Sequence, residues 1–285
     1  MDYAQPDALV STQWLQDHLS APDVRLVDAS WHMPAKGRNA RQEYNEVHIP
    51  GAVFFDIDDI AATGEGVLPH MLPPPEKFAS RVRKMGLGNG NRIVIYDANG
   101  MFSAAARVWW MFRYFGHRDV AILDGGLPKW LAEGRPTEDL PPVPRDRHFL
   151  PRVNTLLGRD YHQLRANVSS SKELVIDARS AERFAGKGTE PWPVKHVGHI
   201  PGAANLPYTD LLNADGTMLG ADALSKRLAE AGVIPGRTVV ATCGSGVTAC
   251  VVAFALHLTG HEDYAVYDGS WVDWGNRDDA PVERG

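Results

Sequence analysis

Two short runs in the chain are apolar through their whole centres rather than at alternate positions: RIVIYD, ending at Asp97, and TVVATC, ending at Cys243. Unbroken runs of this length, rich in β-branched residues, fit strands buried on both faces, as in a parallel sheet. A longer segment of helical character follows each, SAAARVWWMFRYF in the first half and VTACVVAFALHL in the second, and both stop at a Gly-His pair, where glycine can end a helix. Strands alternating with helices predict an α/β fold in which each half is a small parallel sheet with helices on both faces.

The pattern occurs twice because the chain repeats itself. VRLVDAS, ending at Ser30, answers ELVIDARS, ending at Ser180; HIPGA at His48 recurs at His199; GHRDVAILDGG from Gly116 answers GHEDYAVYDGS from Gly260. Aligned partners, Asp28 with Asp177, His48 with His199, Asp97 with Cys243 and Gly116 with Gly260, lie 149, 151, 146 and 144 residues apart in order along the chain, so the two copies differ by few insertions. The span from Asp97 to Gly116 is two residues longer than that from Cys243 to Gly260, which predicts a longer first loop. Between the copies, residues 134–151 are rich in proline and charge, where neither helix nor central strand can persist. The expected organisation is a first domain over 1–135, a linker over 136–151 and a second domain over 152–285.

Composition narrows the functional classes. The length suits two domains of ordinary size, and 44% hydrophobic with 22% charged residues is the balance of a globular chain. A net charge of -6 argues against a nucleic-acid partner, which needs clustered Lys and Arg. The longest apolar stretch, residues 250–256, is far short of the roughly 20 residues that cross a bilayer, so no membrane partner is expected. The acidic start MDYAQPDALV lacks the basic and apolar regions of a secretory signal. With only Cys243 and Cys250, seven apart, a disulfide framework is not expected, and a cytoplasmic location fits.

Cys243 opens the segment CGSGVT, residues 243–248, between a predicted buried strand and a helix. Ligands of open α/β sheets bind beyond the carboxyl ends of strands, where the following helix offers unpaired N–H groups. Gly244 and Gly246 let the backbone curl so that successive N–H groups, through Ser245, Val247 and Thr248, point inward at an anion. A thiol there is expected to ionise more readily than a free cysteine, making Cys243 the candidate nucleophile. Cys250 falls within the apolar helix and reads as core. Asp97 holds the matching position in the first half and cannot act as a sulfur nucleophile.

At these residues the chain resembles the tandem-domain rhodanese family, and within it the 3-mercaptopyruvate sulfurtransferase branch. The likeness covers nearly the whole chain and is carried by CGSGVT, both HIPGA segments, FFDID at residues 54–58, HMLP at 70–73, DARSAERF at 177–184 and YDGSWVDWG at 267–275. It implies two tandem rhodanese-like domains and a sulfurtransferase that moves sulfur from 3-mercaptopyruvate through a Cys243 persulfide, releasing pyruvate. Thiosulfate-type members usually carry basic residues in the loop, which here has none. The resemblance further implies that His70 and Asp58 join Ser245 beside the thiolate, and that Arg183 binds the donor carboxylate through its planar fork. Arg179 is a second candidate for binding the donor, with a structural role in holding the loop through ion pairs the reading preferred for it. A second substrate arginine is usual shortly after a Glu-Pro pair, but Glu190-Pro191 is followed by Trp192; Lys195 or His196 could supply the charge instead. The implied partners are a small-molecule sulfur donor and a thiol acceptor such as a thioredoxin-like protein or a small thiol, with cyanide as an assay acceptor. No cofactor or metal is called for, and His196 and His199 read as structural.

Alternatives from other classes are weaker. A cysteine phosphatase needs an arginine closing its loop in a C-x5-R pattern, and the sixth residue after Cys243 is Ala249. A thiosulfate:cyanide sulfurtransferase is the nearest rival, and a non-catalytic rhodanese-like binding module the more distant one.

Overall fold

A computed structural model describes residues 2–100 and 102–285. In the first half, β1 (Leu9–Val10), β2 (Val24–Asp28), β3 (Ala52–Phe54), β4 (Arg92–Tyr96) and β5 (Val120–Leu123) form one sheet in the spatial order β1-β5-β4-β2-β3. The second half repeats it with β6 (Gly158–Arg159), β7 (Leu174–Asp177), β8 (Ala204–Asn205), β9 (Val239–Thr242) and β10 (Tyr264–Tyr267), ordered β6-β10-β9-β7-β8. All neighbouring pairs are parallel. The two unbroken apolar runs are the central strands β4 and β9, and Val240 of β9 lies between Val175 and Ala265. A central strand is covered above and below, so it has no solvent face to mark with polar residues.

Each sheet carries packing on both faces. Small clusters around Trp130 and Trp274 cover the outer faces. The inner faces share one core that runs from Phe55 and Phe78 through Trp109 and Phe254 to Leu174 and Leu224 of the second half. Its centre is the meeting of two helices, Ser103–Tyr114 after β4 and Ala249–Leu258 after β9. Every residue from 249 to 256 is buried, and a helix apolar all round must be enclosed. Trp109 meets Phe254 edge-on with ring centroids 4.9 Å apart.

The expectation of a longer first loop is corrected by these helices. Six residues separate strand from helix in both halves, 97–102 and 243–248, and the extra length lies in the helix, 12 residues against 10. Residues 136–151 hold no helix or strand, yet they are anchored: Phe149 is fully buried and its carbonyl accepts from Arg83 Nη2 at 2.7 Å. The two HIPGA turns perform the same task in each copy. His48 bridges Glu138 and His199 bridges Glu283, while each imidazole stacks on an aromatic ring, Tyr44 or Phe184, and turns Nδ1 to that residue's carbonyl. His199 is thus a structural residue.

Removing the large ring at the helix–helix contact should be costly. Trp109→Ala is expected to lower the unfolding free energy by about 3–5 kcal/mol, measured by urea denaturation; a loss within about 0.5 kcal/mol, the range of surface substitutions, would refute the central place given to this contact.

Candidate functional site

Cys243 follows β9 directly and lies, 2% exposed, on the floor of a cavity of about 640 Å³ between the two halves. The loop of residues 243–248 turns tightly through Gly246, whose φ is 79°. A Cβ there would stand 2.6 Å from the Asp268 carbonyl oxygen, so only glycine fits. Among the described residues, the backbone N–H groups of 244–248 have no hydrogen-bond acceptor. Together with the N-terminal end of helix Ala249–Leu258 they leave a concentration of partial positive charge around the loop, suited to an anion on the cysteine. Gly244, Ser245, Val247 and Thr248 all line the cavity.

The first half shows what fills such a loop when there is no cysteine. There Asp97 turns its own carboxylate inward and accepts from the N–H groups of Asn99 and Ala105, each at 3.1 Å. Burial raises the pKa of Asp97, and the backbone N–H groups oppose that shift.

Four further groups converge on the cysteine loop. His70 is buried, with Nδ1 3.0 Å from Ser245 Oγ and Nε2 3.3 Å from Asp58 Oδ1. With the proton on Nε2, facing the carboxylate, Nδ1 is the acceptor for the Ser245 hydroxyl. The Asp58 contact is a close electrostatic approach without hydrogen-bond alignment at Nε2; the firmer bond to Asp58 comes from the Trp31 indole N–H at 2.8 Å. His70 first, and then Trp31, hold the Asp58 carboxyl below the usual carboxylate range against partial desolvation. The imidazole is also framed edge-on by Trp31 and Trp192, with centroids at 4.7 and 5.7 Å.

Arg183, on the short helix Ala181–Phe184, lines the cavity, and its Nη2 would lie 2.7 Å from a Cβ on Gly244. Glu190 holds it at 2.5 Å and also pairs with Arg179 at 2.8 Å. Arg179 also lines the cavity, but its charge is engaged elsewhere. Its side chain is fully buried and committed to Asp177, Glu190 and the Gly198 carbonyl, the structural role the sequence reading preferred. Lys195 pairs with Asp278, and neither Lys195 nor His196 is among the residues that line the cavity. The cations the first half adds to the lining are Lys36 and Arg38, and among the described residues no Asp or Glu lines the cavity. Arg38 is held by Glu43 at 2.6 Å.

Sequence reasoning missed Ser270 and Tyr208. Ser270 Oγ accepts from the Cys243 N–H at 3.1 Å, donates to the Tyr267 carbonyl at 2.8 Å and lies 4.0 Å from the Cys243 sulfur. It adopts φ 50°, where the first half has Gly126 at φ 56°. A non-glycine residue in that region is strained and marks a place where the side chain matters. The signal was present as DGS against DGG in the repeat. Tyr208 lines the cavity, and burial, then the charges of Asp97 and Cys243, push its hydroxyl upward in pKa, so it faces the site protonated.

The sequence and fold agree with those of known proteins. A rhodanese-like domain is recognised twice, over residues 11–133 and 160–277. The chain belongs to the rhodanese family. Human 3-mercaptopyruvate sulfurtransferase is 42% identical over 94% of this chain and 91% of its own length. Mouse thiosulfate sulfurtransferase is 41% identical over 97% and 94%. SseA of Escherichia coli, solved as a 3-mercaptopyruvate sulfotransferase, superposes with a TM-score of 0.85 at 36% identity, covering 93% of this chain and 98% of its own. The rhodanese fold is therefore duplicated here, and the full-length relatives are sulfurtransferase enzymes. No helix among the described residues is long and apolar enough to cross a membrane.

The two cysteines should differ sharply in reactivity. Cys250 is fully buried, donates to the Gly246 carbonyl at 3.3 Å, and burial pushes its thiol far up. Brief treatment of the native protein with iodoacetamide, followed by peptide mass mapping, should modify Cys243 alone; equal modification of Cys250 would contradict this reading.

Proposed function

We propose that the protein transfers sulfur from 3-mercaptopyruvate to a thiol acceptor through a persulfide on Cys243, with residues 152–285 supplying the nucleophile and Ser245 and residues 1–135 the His70 and Asp58 that orient that serine. The observation that carries the reading is the chain from Ser245 to His70 to Asp58, which reaches across the cleft to the loop of Cys243. In the first half-reaction the Cys243 thiolate attacks the donor sulfur, a sulfur–sulfur bond forms, and the carbon–sulfur bond breaks with its electron pair leaving on carbon. The departing enolate of pyruvate takes up one proton, and the outer sulfur gives one up, so the enzyme retains a persulfide anion while pyruvate leaves. Ser245, oriented by His70 and Asp58, is placed to carry that proton.

The unpartnered N–H groups of 244–248 suit the outer sulfur anion, and Arg183 is the candidate for the donor carboxylate, with Lys36 facing it across the cavity in place of the arginine that Trp192 replaces. In the second half-reaction a thiolate, from a small thiol or a thioredoxin-like protein, takes the outer sulfur and restores the Cys243 thiolate. A reducing compartment such as the cytoplasm suits this chemistry and two free cysteines. Thiosulfate is the alternative donor, favoured by the near-equal likeness to thiosulfate sulfurtransferase.

Incubation with 3-mercaptopyruvate should release pyruvate and add one sulfur to Cys243 by mass. Cys243→Ser should abolish both, and a variant that still transferred sulfur would end the proposal. His70→Asn should lower kcat with 3-mercaptopyruvate by about 10²–10⁴-fold, the usual worth of a proton-transfer group; a preference for thiosulfate at matched concentrations would instead support the alternative donor.

The relay also has a pH signature. Because the folded-state pKa of Asp58 is depressed, its charge is present above the usual value of about 3.9 and is lost only as pH falls through the lowered value. The activity ratio of Asp58→Asn to wild type should therefore stay constant from neutral pH down to about 5, a range above that reference value. A ratio that climbs towards one at the acid end would show that the carboxylate titrates there.

A further inference from the structure

His70 and Ser245 belong to different halves, and neither loop by itself fixes their separation. Arg107, on helix Ser103–Tyr114, joins them. Its fully buried guanidinium lies 2.7 Å from Asp268 Oδ1, donates through Nη1 to the Gly246 carbonyl at 3.2 Å, and donates through Nη2 to the His70 carbonyl. The other carboxylate oxygen of Asp268 accepts from the Leu72 N–H at 2.7 Å. The segment 70–72 is thus gripped at both ends by the members of one ion pair, and the arginine also holds the cysteine loop. His70 has need of such a grip, since its φ of 63° is one that non-glycine residues keep only when their surroundings impose it.

The duplication supplies an internal control. Asp124, the first-half counterpart of Asp268, accepts from the Met218 N–H of the other half at 2.9 Å, so the carboxylate-to-loop contact exists on both sides of the molecule. The guanidinium exists on one. Helix Ala249–Leu258 carries only apolar residues and Cys250 through its first eight positions, with no cation to answer Arg107. The added arginine sits on the side that has Cys243 and Ser245. Stability alone is a weak reason for it, because buried ion pairs contribute little net stability over apolar packing.

We infer that Arg107 is a positioning residue for sulfur transfer, which sets the His70 imidazole against the Ser245 hydroxyl by clamping the two loops across the domain boundary. The inference rests on the proton relay proposed above. Lysine can keep the charge opposite Asp268 but lacks the planar fork that reaches two carbonyls at once. In Arg107→Lys, kcat with 3-mercaptopyruvate should fall by about 10–10²-fold, the scale of an ångström-sized misplacement, with KM within about threefold. With thiosulfate, whose sulfite leaves without needing a proton, the fall should be smaller by about threefold or more, because that step bypasses the relay and feels only the loosened hold on the cysteine loop. Combined with His70→Asn, the lysine substitution should cost nothing more, since neighbours acting as one unit are not additive.

Equal losses with both donors, or losses that multiply in the double variant, would overturn the inference and leave Arg107 as a plain structural residue. If Arg107→Lys fails to fold by circular dichroism, Asp268→Asn, which keeps an oxygen for the Leu72 N–H, carries the same comparison. Should the wild-type protein release no pyruvate, the relay proposal itself fails. The clamp is then tested by NMR of the His70 imidazole: a shift in its resonance or titration in the variant supports it, and an unchanged signal refutes it.

Discussion

A helix with no polar face cannot lie on the surface, and much of this molecule follows from having one. Helix Ala249–Leu258 is buried at every residue but His257, so the side away from its own sheet has to be covered by something else. The cover is helix Ser103–Tyr114 of the other copy, which brings Trp109 against Phe254 and Phe102 beside them. A contact of this size and apolarity leaves little freedom for hinge motion between the halves. It also dictates where chemistry can occur. Both helices start at the carboxyl ends of central strands, so packing them together brings the two strand-to-helix loops to one cleft, and the cysteine loop then faces groups it could never meet within its own domain.

Duplication explains why a half without a nucleophile persists. The two loops are equal in length and differ in what occupies them. Asp97 supplies its own carboxylate to the N–H groups around it, whereas the loop at Cys243 leaves its N–H groups open to the cavity. One copy has become self-contained, and its loop serves as scaffold. What it contributes lies elsewhere: Trp31, Lys36 and Arg38 line the cavity, while His70 meets Ser245 from behind the lining and Asp58 is held by Trp31. At one matched position the second copy accepts strain that the first avoids, placing Ser270 in a backbone region where its partner has Gly126.

Much of this was legible in the sequence, for identifiable reasons. Unbroken apolar runs revealed β4 and β9 because central strands have no second, polar periodicity. The repeat revealed two equivalent sheets, and the glycines around Ser245 revealed a loop built to present N–H groups. Local signals of this kind depend only on near neighbours in the chain. His70 and Asp58 were reachable by family resemblance alone, since 175 residues separate His70 from Ser245 and no local pattern marks either. Arg107 was invisible for the opposite reason: within SAAARVWWMFRYF it looks like the polar edge of an amphipathic helix, and only tertiary packing turns it inward to Asp268. The count of residues between Asp97 and Gly116 was right but was assigned to the loop, because sequence alone cannot tell a longer turn from half a turn more of helix.

The charge balance of the cavity bears on which donor it suits. Arg183 is already held by Glu190, which it shares with Arg179, so the field it offers a substrate is partly cancelled. A dianionic donor would gain most from strong uncompensated positive charge near the sulfur, which a neutral CGSGVT loop lacks. A monoanionic oxoacid asks for less: one partly neutralised guanidinium to orient its carboxylate, a cation such as Lys36 across the cavity, and a polar group where its carbon will need a proton. Trp192 fits the same logic. Its indole meets the His70 ring edge-on with centroids 5.7 Å apart, and with Trp31 on another side it restricts how the imidazole can turn. Trp192 thus favours a well-defined His70, which matters to the proposed carbon–sulfur cleavage more than to a sulfur–sulfur cleavage.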